Sequence, residues 1–230
     1  VEIGRNYSNV IGIQSDVRAA LEALVAGAAT AKREDWLART KGYIDEWRIE
    51  ADKLRDTDTF PMHPARVCRE LNDVLPQDAI LIADTGYAAM WTGTLIYLKH
   101  ATQRYFRAAG SLGWSFPASL GAKCAAPDKP VICFSGDGGF FYHFPELETA
   151  RRRNIKTVTI VNNNHCLAQG VRNLDIAYGS RGHDRKGECY EYRETDFAKI
   201  ARDFDCVGLT VEKPQDFRKA FAEAMASKLP

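Results

Sequence analysis

No cysteine in this chain has a partner at Cys-x-x-Cys spacing. Cys68, Cys124, Cys133, Cys166, Cys189 and Cys206 are scattered along 230 residues, which argues against a zinc or iron–sulfur site. Several stand in apolar surroundings and read as reduced core residues. Net charge is almost absent too. The 31 basic and 30 acidic side chains leave +1, no global field for nucleic acid or an anionic membrane. Apolar runs are far shorter than a bilayer span, and no cationic, apolar and small-residue series resembling a signal peptide opens the sequence. These absences predict a cytoplasmic protein with neither nucleic acid nor membrane as partner. What is present is a hydrophobic content of 45%, ordinary for a chain that buries a core. The length suits one large domain, or one domain with an appendage.

The first part of the chain reads as helical. Asp16 precedes Val17, Ala20, Leu21, Leu24 and Val25, an apolar face at helical spacing with an acid at its start. A second helix is predicted from Lys32 to Leu54, with Trp36, Leu37, Ile44 and Trp47 as its buried stripe. Pro64 suits the first turn of a third, running through Leu75. From there strands and helices alternate. The strands are Ala79 to Ala83, Val131 to Phe134 and Thr157 to Val161. The helices are Tyr87 to Leu98, Trp114 to Ala125 and Pro145 to Arg153. A long loop from Asn173 to Glu194 follows, then a helix capped by Thr195, a strand at Val207 to Val211 and a last helix opened by Pro214. The alternation predicts an α/β fold, a doubly wound parallel sheet with helices on both faces. The chain ends just after a helix, where an α/β fold often returns to the sheet, and the expectation is a piece of a longer polypeptide.

Chemistry concentrates after two of those strands. Ser135-Gly136-Asp137-Gly138-Gly139 follows one, and Asn162-Asn163-Asn164 follows the next, with Asn164 placed 27 positions after Asp137. Asp137 alone is an ordinary turn former or helix cap, and Asn clusters are common in loops. Together, on neighbouring strand tips, a carboxylate and an amide oxygen are hard donors suited to Mg²⁺, which completes its shell with water and phosphate oxygens. A backbone carbonyl just beyond Asn164, that of Cys166, could be a third donor. Glycines beside the acid let backbone N–H groups approach phosphate. The spacing thus points to a magnesium-bound diphosphate at the C-terminal end of a parallel sheet.

Gly136-Asp137-Gly138 followed by Asn163-Asn164 resembles the fingerprint of the thiamine-diphosphate-dependent enzymes, the acetolactate synthase and 2-oxo acid decarboxylase superfamily, in their C-terminal diphosphate-binding domain. Tyr105 to Trp114, continuing through Pro117 to Ala122, resembles the segment that holds the cofactor's pyrimidine, and Asp84-Thr85-Gly86 with Met90-Trp91 resembles an earlier diphosphate loop. Val1 to Tyr7 and Asp16 to Leu21 look like the tail of the family's middle domain. The resemblance implies a tail of that domain over 1–30, a helical linker over 31–62 and the thiamine-diphosphate-binding domain over 63–230. It implies Mg²⁺ on Asp137, Asn164 and the Cys166 carbonyl. Thr85, Gly86, Tyr87, Gly138 and Gly139 would lie along the diphosphate. Leu112 would support the bent cofactor; on its own it reads as a core leucine. The Gly110 carbonyl would accept from the 4′-amino group.

The implied activity is decarboxylation or carboligation of 2-oxo acids, as in acetolactate synthase, by a lyase or transferase. A 2-hydroxyacyl-CoA lyase or aryl-oxoacid decarboxylase is the enzymatic alternative, and a non-catalytic cofactor-fold module the non-enzymatic one. A 2-oxoacid ferredoxin oxidoreductase β-subunit shares the fingerprint, but clustered cysteines are lacking. The family's activating glutamate comes from a pyrimidine-binding domain that no segment here resembles. The chain is therefore expected to lack a catalytic residue of its own, to need that domain in cis or from a partner, and to act in a homo- or hetero-oligomer. The sequence departs from acetolactate synthases at His165-Cys166-Leu167-Ala168-Gln169-Gly170-Val171. Gln169 either donates to substrate or caps a loop, and His165 is either an acid–base group or an exposed loop histidine. Arg151-Arg152-Arg153 reads as a solvated helix end, and Tyr178 to Arg185 as a lid or a plain surface loop.

Overall fold

The computed structural model of the protein describes residues 2–179 and 185–230. The segment read as a lid or surface loop lies largely outside them. The chain divides into two units, Val1–Trp47 and Arg48–Pro230. In the first, Asp16 caps α1 (Val17–Gly27), accepting from the amides of Arg18 and Ala19, as an acid ahead of an apolar periodicity should. The apolar stripes expected to be buried here are not. No residue of α1 is buried, and Trp36, Leu37, Ile44 and Trp47 of α2 (Glu34–Arg55) are all exposed. Helical periodicity marks a face that can be buried; burial needs a second layer over it, and neither helix buries residues on the other.

The second unit carries the sheet. In chain order it contains α3 (Pro64–Val74), β1 (Ile80–Ala83), α4 (Tyr87–Leu95), β2 (Arg104–Arg107), α5 (Ser115–Ala125), β3 (Val131–Gly136), α6 (Asp137–His143), α7 (Glu146–Arg152), β4 (Val158–Asn162), α8 (Ala168–Tyr178), α9 (Phe197–Asp203) and α10 (Pro214–Ala226). The four strands are all parallel, in the order β2-β1-β3-β4. From β1 the chain goes to β2 on one side, and from β2 it crosses back past β1 to β3 on the other. That is a topological switch point, where ligands bind beyond the strands' C-terminal ends.

Period two divides the core. Ile132 and Phe134 of β3 pack with α3, α4 and α10 on one face through Leu71, Leu95 and Phe217. Cys133 packs with Phe116, Phe140, Leu147 and Phe197 of α5, α6, α7 and α9 on the other. Each fully buried large apolar side chain contributes about 1.5–3 kcal/mol, and the two faces explain why β3 reads as a continuous apolar run rather than an alternating one. All six cysteines are free. Burial pushes the Cys68 and Cys133 thiols up to about 12, so they are inert core residues. No helix among the described residues is long and apolar enough to cross a membrane.

Several local expectations are corrected. β2 was not legible, because its four residues run Arg-Tyr-Phe-Arg on an exposed edge. Val207 to Val211 is not a strand: the Val207 amide donates to the Pro230 carbonyl rather than to β4. Gly208 lies so close to the Ala198 backbone that a Cβ would fall 1.9 Å from its carbonyl oxygen. The loop expected from Asn173 is α8 as far as Tyr178. The cap of α9 is Asp196, accepting from the Lys199 amide, not Thr195. A helix also begins at Asp137 itself, two glycines notwithstanding.

α10 is tied to α3 by a buried acid. Glu70, 4% exposed, accepts from Arg66 Nε at 2.9 Å and Arg218 Nε at 2.7 Å, and Arg218 also donates to Asp73 at 2.8 Å. Burial pushes its carboxyl up, but Arg218 and Arg66 outweigh it and leave it below the ordinary carboxylate value. A depressed folded value stabilises the fold above the ordinary one and loses that contribution as pH falls through the folded one. Glu70→Gln should cost about 1–3 kcal/mol at neutral pH, discounted because Arg218 is half exposed. In urea unfolding the gap to the parent protein should close in acid.

Candidate functional site

The register sets the site. Gly136 pairs with Asn162, Ala83 with Phe134 and Ala83 with Arg107. The Asp84 amide continues the ladder to the Phe134 carbonyl, and the Ala108 amide to that of Ala83. The tips of β1, β2, β3 and β4 thus deliver Asp84 to Tyr87, Ala108 to Gly113, Asp137 to Gly139 and Asn163 to Cys166 to one end of the sheet. The segments singled out around Asp84, Gly110, Asp137 and Asn164 all arrive there.

Asp137 is buried, 3% exposed, as the first residue of α6. Its Oδ1 accepts from the Gly138 amide at 2.7 Å and its Oδ2 from the Cys166 amide at 3.0 Å. Burial raises its carboxyl above the ordinary value, against the backbone amides of Gly138, Cys166, Asn164 and His165 that favour the charged form. Among the described residues no ion pair neutralises it. Its field is felt nearby: burial and Asp137 together raise both the Cys166 thiol and the Tyr192 hydroxyl. Three acidic groups displaced in one direction mark a desolvated negative spot, and a bound cation would reverse that local balance.

The asparagine run separates into two roles. Asn163 serves the scaffold, its Nδ2 donating to the Thr195 carbonyl and its Oδ1 accepting from the His165 amide. Asn164 stays exposed, with its backbone amide toward Asp137. His165 sits half-buried at φ 55, a conformation rare for a side-chain-bearing residue, and its Nδ1 is buried with no hydrogen-bond partner among the described residues. Gln169 lies in the first turn of α8, not in a loop, with its side-chain oxygen against Gly86. Leu112 is half-buried and Gly110 exposed at φ 116 in the β2–α5 loop.

Two contributors were missed, and a third was named without its role. Residues 190–192 return across the site: the Leu167 amide donates to the Tyr190 carbonyl and the Tyr192 amide to that of His165. Those bonds flank an antiparallel bridge between Cys166 and Glu191, in which the bridged pair's own groups point away from each other. The Cys166 carbonyl is thereby left out of the bridge. Leu167 and the Tyr192 hydroxyl crowd Gly138, where a Cβ would meet them at 2.6 and 3.1 Å. The third is Asp84, fully buried, which accepts from the amides of Thr85, Gly113 and Ser115 at 2.8, 2.9 and 2.9 Å. A Cβ on Gly139 would come within 3.0 Å of its carboxylate. Asp84 was legible as part of a diphosphate loop, but its bonds to Gly113 and Ser115 were not; residues 190–192 are marked only by their position beside the strand tips.

Similarity to known proteins agrees with this geometry. Residues 84–230 match the family described as thiamine pyrophosphate enzyme, C-terminal TPP binding domain. The chain is 30% identical over its full length to a probable acetolactate synthase large subunit of Methanocaldococcus jannaschii, covering 39% of that protein. It is 30% identical over 98% of its length to a glyoxylate carboligase of Escherichia coli O157:H7, covering 40% of it. To a sulfoacetaldehyde acetyltransferase of Castellaniella defragrans it is 27% identical over 88% of its length, covering 36%. The chain spans about two fifths of the length of these relatives. It belongs to the thiamine pyrophosphate enzyme family, as the C-terminal domain that binds the cofactor.

Proposed function

We propose that this chain holds Mg²⁺ and thiamine diphosphate for an enzyme that decarboxylates or carboligates 2-oxo acids in the manner of acetolactate synthase. The observation that carries the reading is the buried Asp137 carboxylate, raised by desolvation, ringed by backbone amides and unneutralised among the described residues. The donor set fits the metal. Among the described residues no three His, Cys, Asp or Glu side chains converge. An ion here would take one carboxylate, the Asn164 amide oxygen and the Cys166 carbonyl, with water and phosphate completing a magnesium shell.

The remaining roles follow from placement. Backbone N–H groups at Gly86, Tyr87, Gly138 and Gly139 would orient the diphosphate, with Thr85 beside them and Gln169 packed on Gly86. Leu112 would support the bent cofactor, and the Gly110 carbonyl would accept from its aminopyrimidine. Thiamine diphosphate, when bound, supplies a carbon nucleophile that also accepts the electron pair released as a carbon–carbon bond breaks. The chain's own part is binding, orientation and exclusion of water. Residues 63–230 would be the cofactor domain, 31–62 a linker and 1–30 the tail of a preceding domain. A pyrimidine-binding domain bringing the activating glutamate would complete the site. The names of the relatives, acetolactate synthase, glyoxylate carboligase and sulfoacetaldehyde acetyltransferase, support carboligation or acyl transfer.

The test is a screen of 2-oxo acids with Mg²⁺ and cofactor. The protein assembled with its pyrimidine-binding domain should release CO₂ or form a carboligation product from at least one of them, and this chain alone should do neither. CO₂ release from pyruvate by the chain alone would overturn the composite site.

A further inference from the structure

We propose that Asp84 is a positioning residue that sets the β2–α5 loop, with Gly110 and Leu112, against the diphosphate end of the site. Its carboxylate has no exposed surface. It lies one residue beyond β1, yet two of its three amide donors, Gly113 and Ser115, come from the far end of the β2–α5 loop and the start of α5. Ser115 is the first residue of α5, so the carboxylate also caps that helix from another strand. Trp114, in the usual capping place, makes no side-chain cap. On its other side Asp84 abuts Gly139, next to Asp137 and Gly138.

One group thus touches three of the four strand-tip segments. Gly110 and Gly113 stand at φ 116 and 90, where a Cβ would be strained, and the freedom that lets glycine reach these values also leaves the loop little intrinsic preference for a single path. The Asp84 bonds supply that preference, and a charge-assisted bond to a buried carboxylate is among the stronger kinds. The inference that the loop serves catalysis rests on the functional reading above; the tie itself does not.

Asp84→Asn tests both parts on the protein assembled with its pyrimidine-binding domain. Oδ1 accepts from Thr85 and Gly113, and Oδ2 from Ser115. Whichever way the new amide turns, its NH₂ must face a backbone N–H. In hydrogen exchange, the Gly113 and Ser115 amides of the parent protein should be protected as well as the β3 amides. In the variant at least one should exchange about tenfold faster or more, with β3 unchanged. Turnover should fall at least about tenfold, while Mg²⁺ affinity in the presence of cofactor, which depends on Asp137, stays within about threefold. Loop-like exchange in the parent overturns the inference, as does a variant whose exchange or turnover matches the parent's. If the variant does not fold, the parent's exchange decides. If the parent binds no cofactor, the functional reading fails and the exchange result still judges the tie.

Discussion

Replacing Asp137 by Ala should abolish Mg²⁺-dependent binding of thiamine diphosphate, and calorimetry should show it as a loss of at least about 100-fold in affinity. The side chain is the carboxylate proposed for the metal, at the tip of the interior strand β3 and 3% exposed. A cation there exchanges a desolvated, unpaired carboxylate for a paired one, which is where electrostatic gain is largest. Asp137→Asn separates charge from shape. It keeps an acceptor for only one of the Gly138 and Cys166 amides and turns its NH₂ on the other, so the metal-free fold should lose about 1–3 kcal/mol in thermal unfolding. The metal affinity should fall almost as far as with Ala. Unchanged cofactor affinity in either variant would place the metal elsewhere.

Gly113→Ala should be the most damaging single methyl in the site. Gly113 is at φ 90, a region that side-chain-bearing residues avoid, and a Cβ there would meet Tyr142 Cβ at 2.6 Å, His143 Nδ1 at 2.9 Å and the Gly139 carbonyl at 3.1 Å. Strain and overpacking add, and the expected loss is about 2–4 kcal/mol in urea unfolding. The loop can relieve the clash only by withdrawing the Gly113 amide from Asp84, so cofactor affinity should fall as well. Gly110 provides the comparison. Its φ is 116, but nothing lies within 4 Å of a Cβ built on it, so Gly110→Ala should show strain alone, about 1–2 kcal/mol. Equal losses at the two positions would mean that packing against α6 does not hold the loop.

How much of this was legible depends on how local each signal is. β1 and β3 were readable because strands covered on both faces must be apolar almost throughout, and Val131 to Phe134 is buried at every position. β4, an edge strand, was readable because Val158, Ile160 and Val161 still pack on the two cores, whereas β2, on the other edge, sets only Tyr105 against one of them. Arg104 and Arg107 are exposed, and the strand exists only through its ladder to β1. The stripes of α1 and α2 show the opposite failure, periodicity without a covering layer. In the candidate site, Asp137 and Asn164 were singled out because strand, glycine and polar residue stand together in sequence. Tyr192 and Leu167 were not, because their contacts to Gly138 arise from a segment folding back across the site.

By itself, then, the sequence determined the parallel sheet, through continuous apolar runs separated by helical patterns, and the Asp137–Asn164 pair at its tips. Tertiary structure decided which groups those tips bring together: Asp84 under the Gly113 loop, residues 190–192 across Cys166, and Gln169 against Gly86. The physical reason is that burial is written locally, in the spacing of apolar residues. The choice of hydrogen-bond partner for a buried carboxylate is settled only when distant segments compete for it in the folded chain.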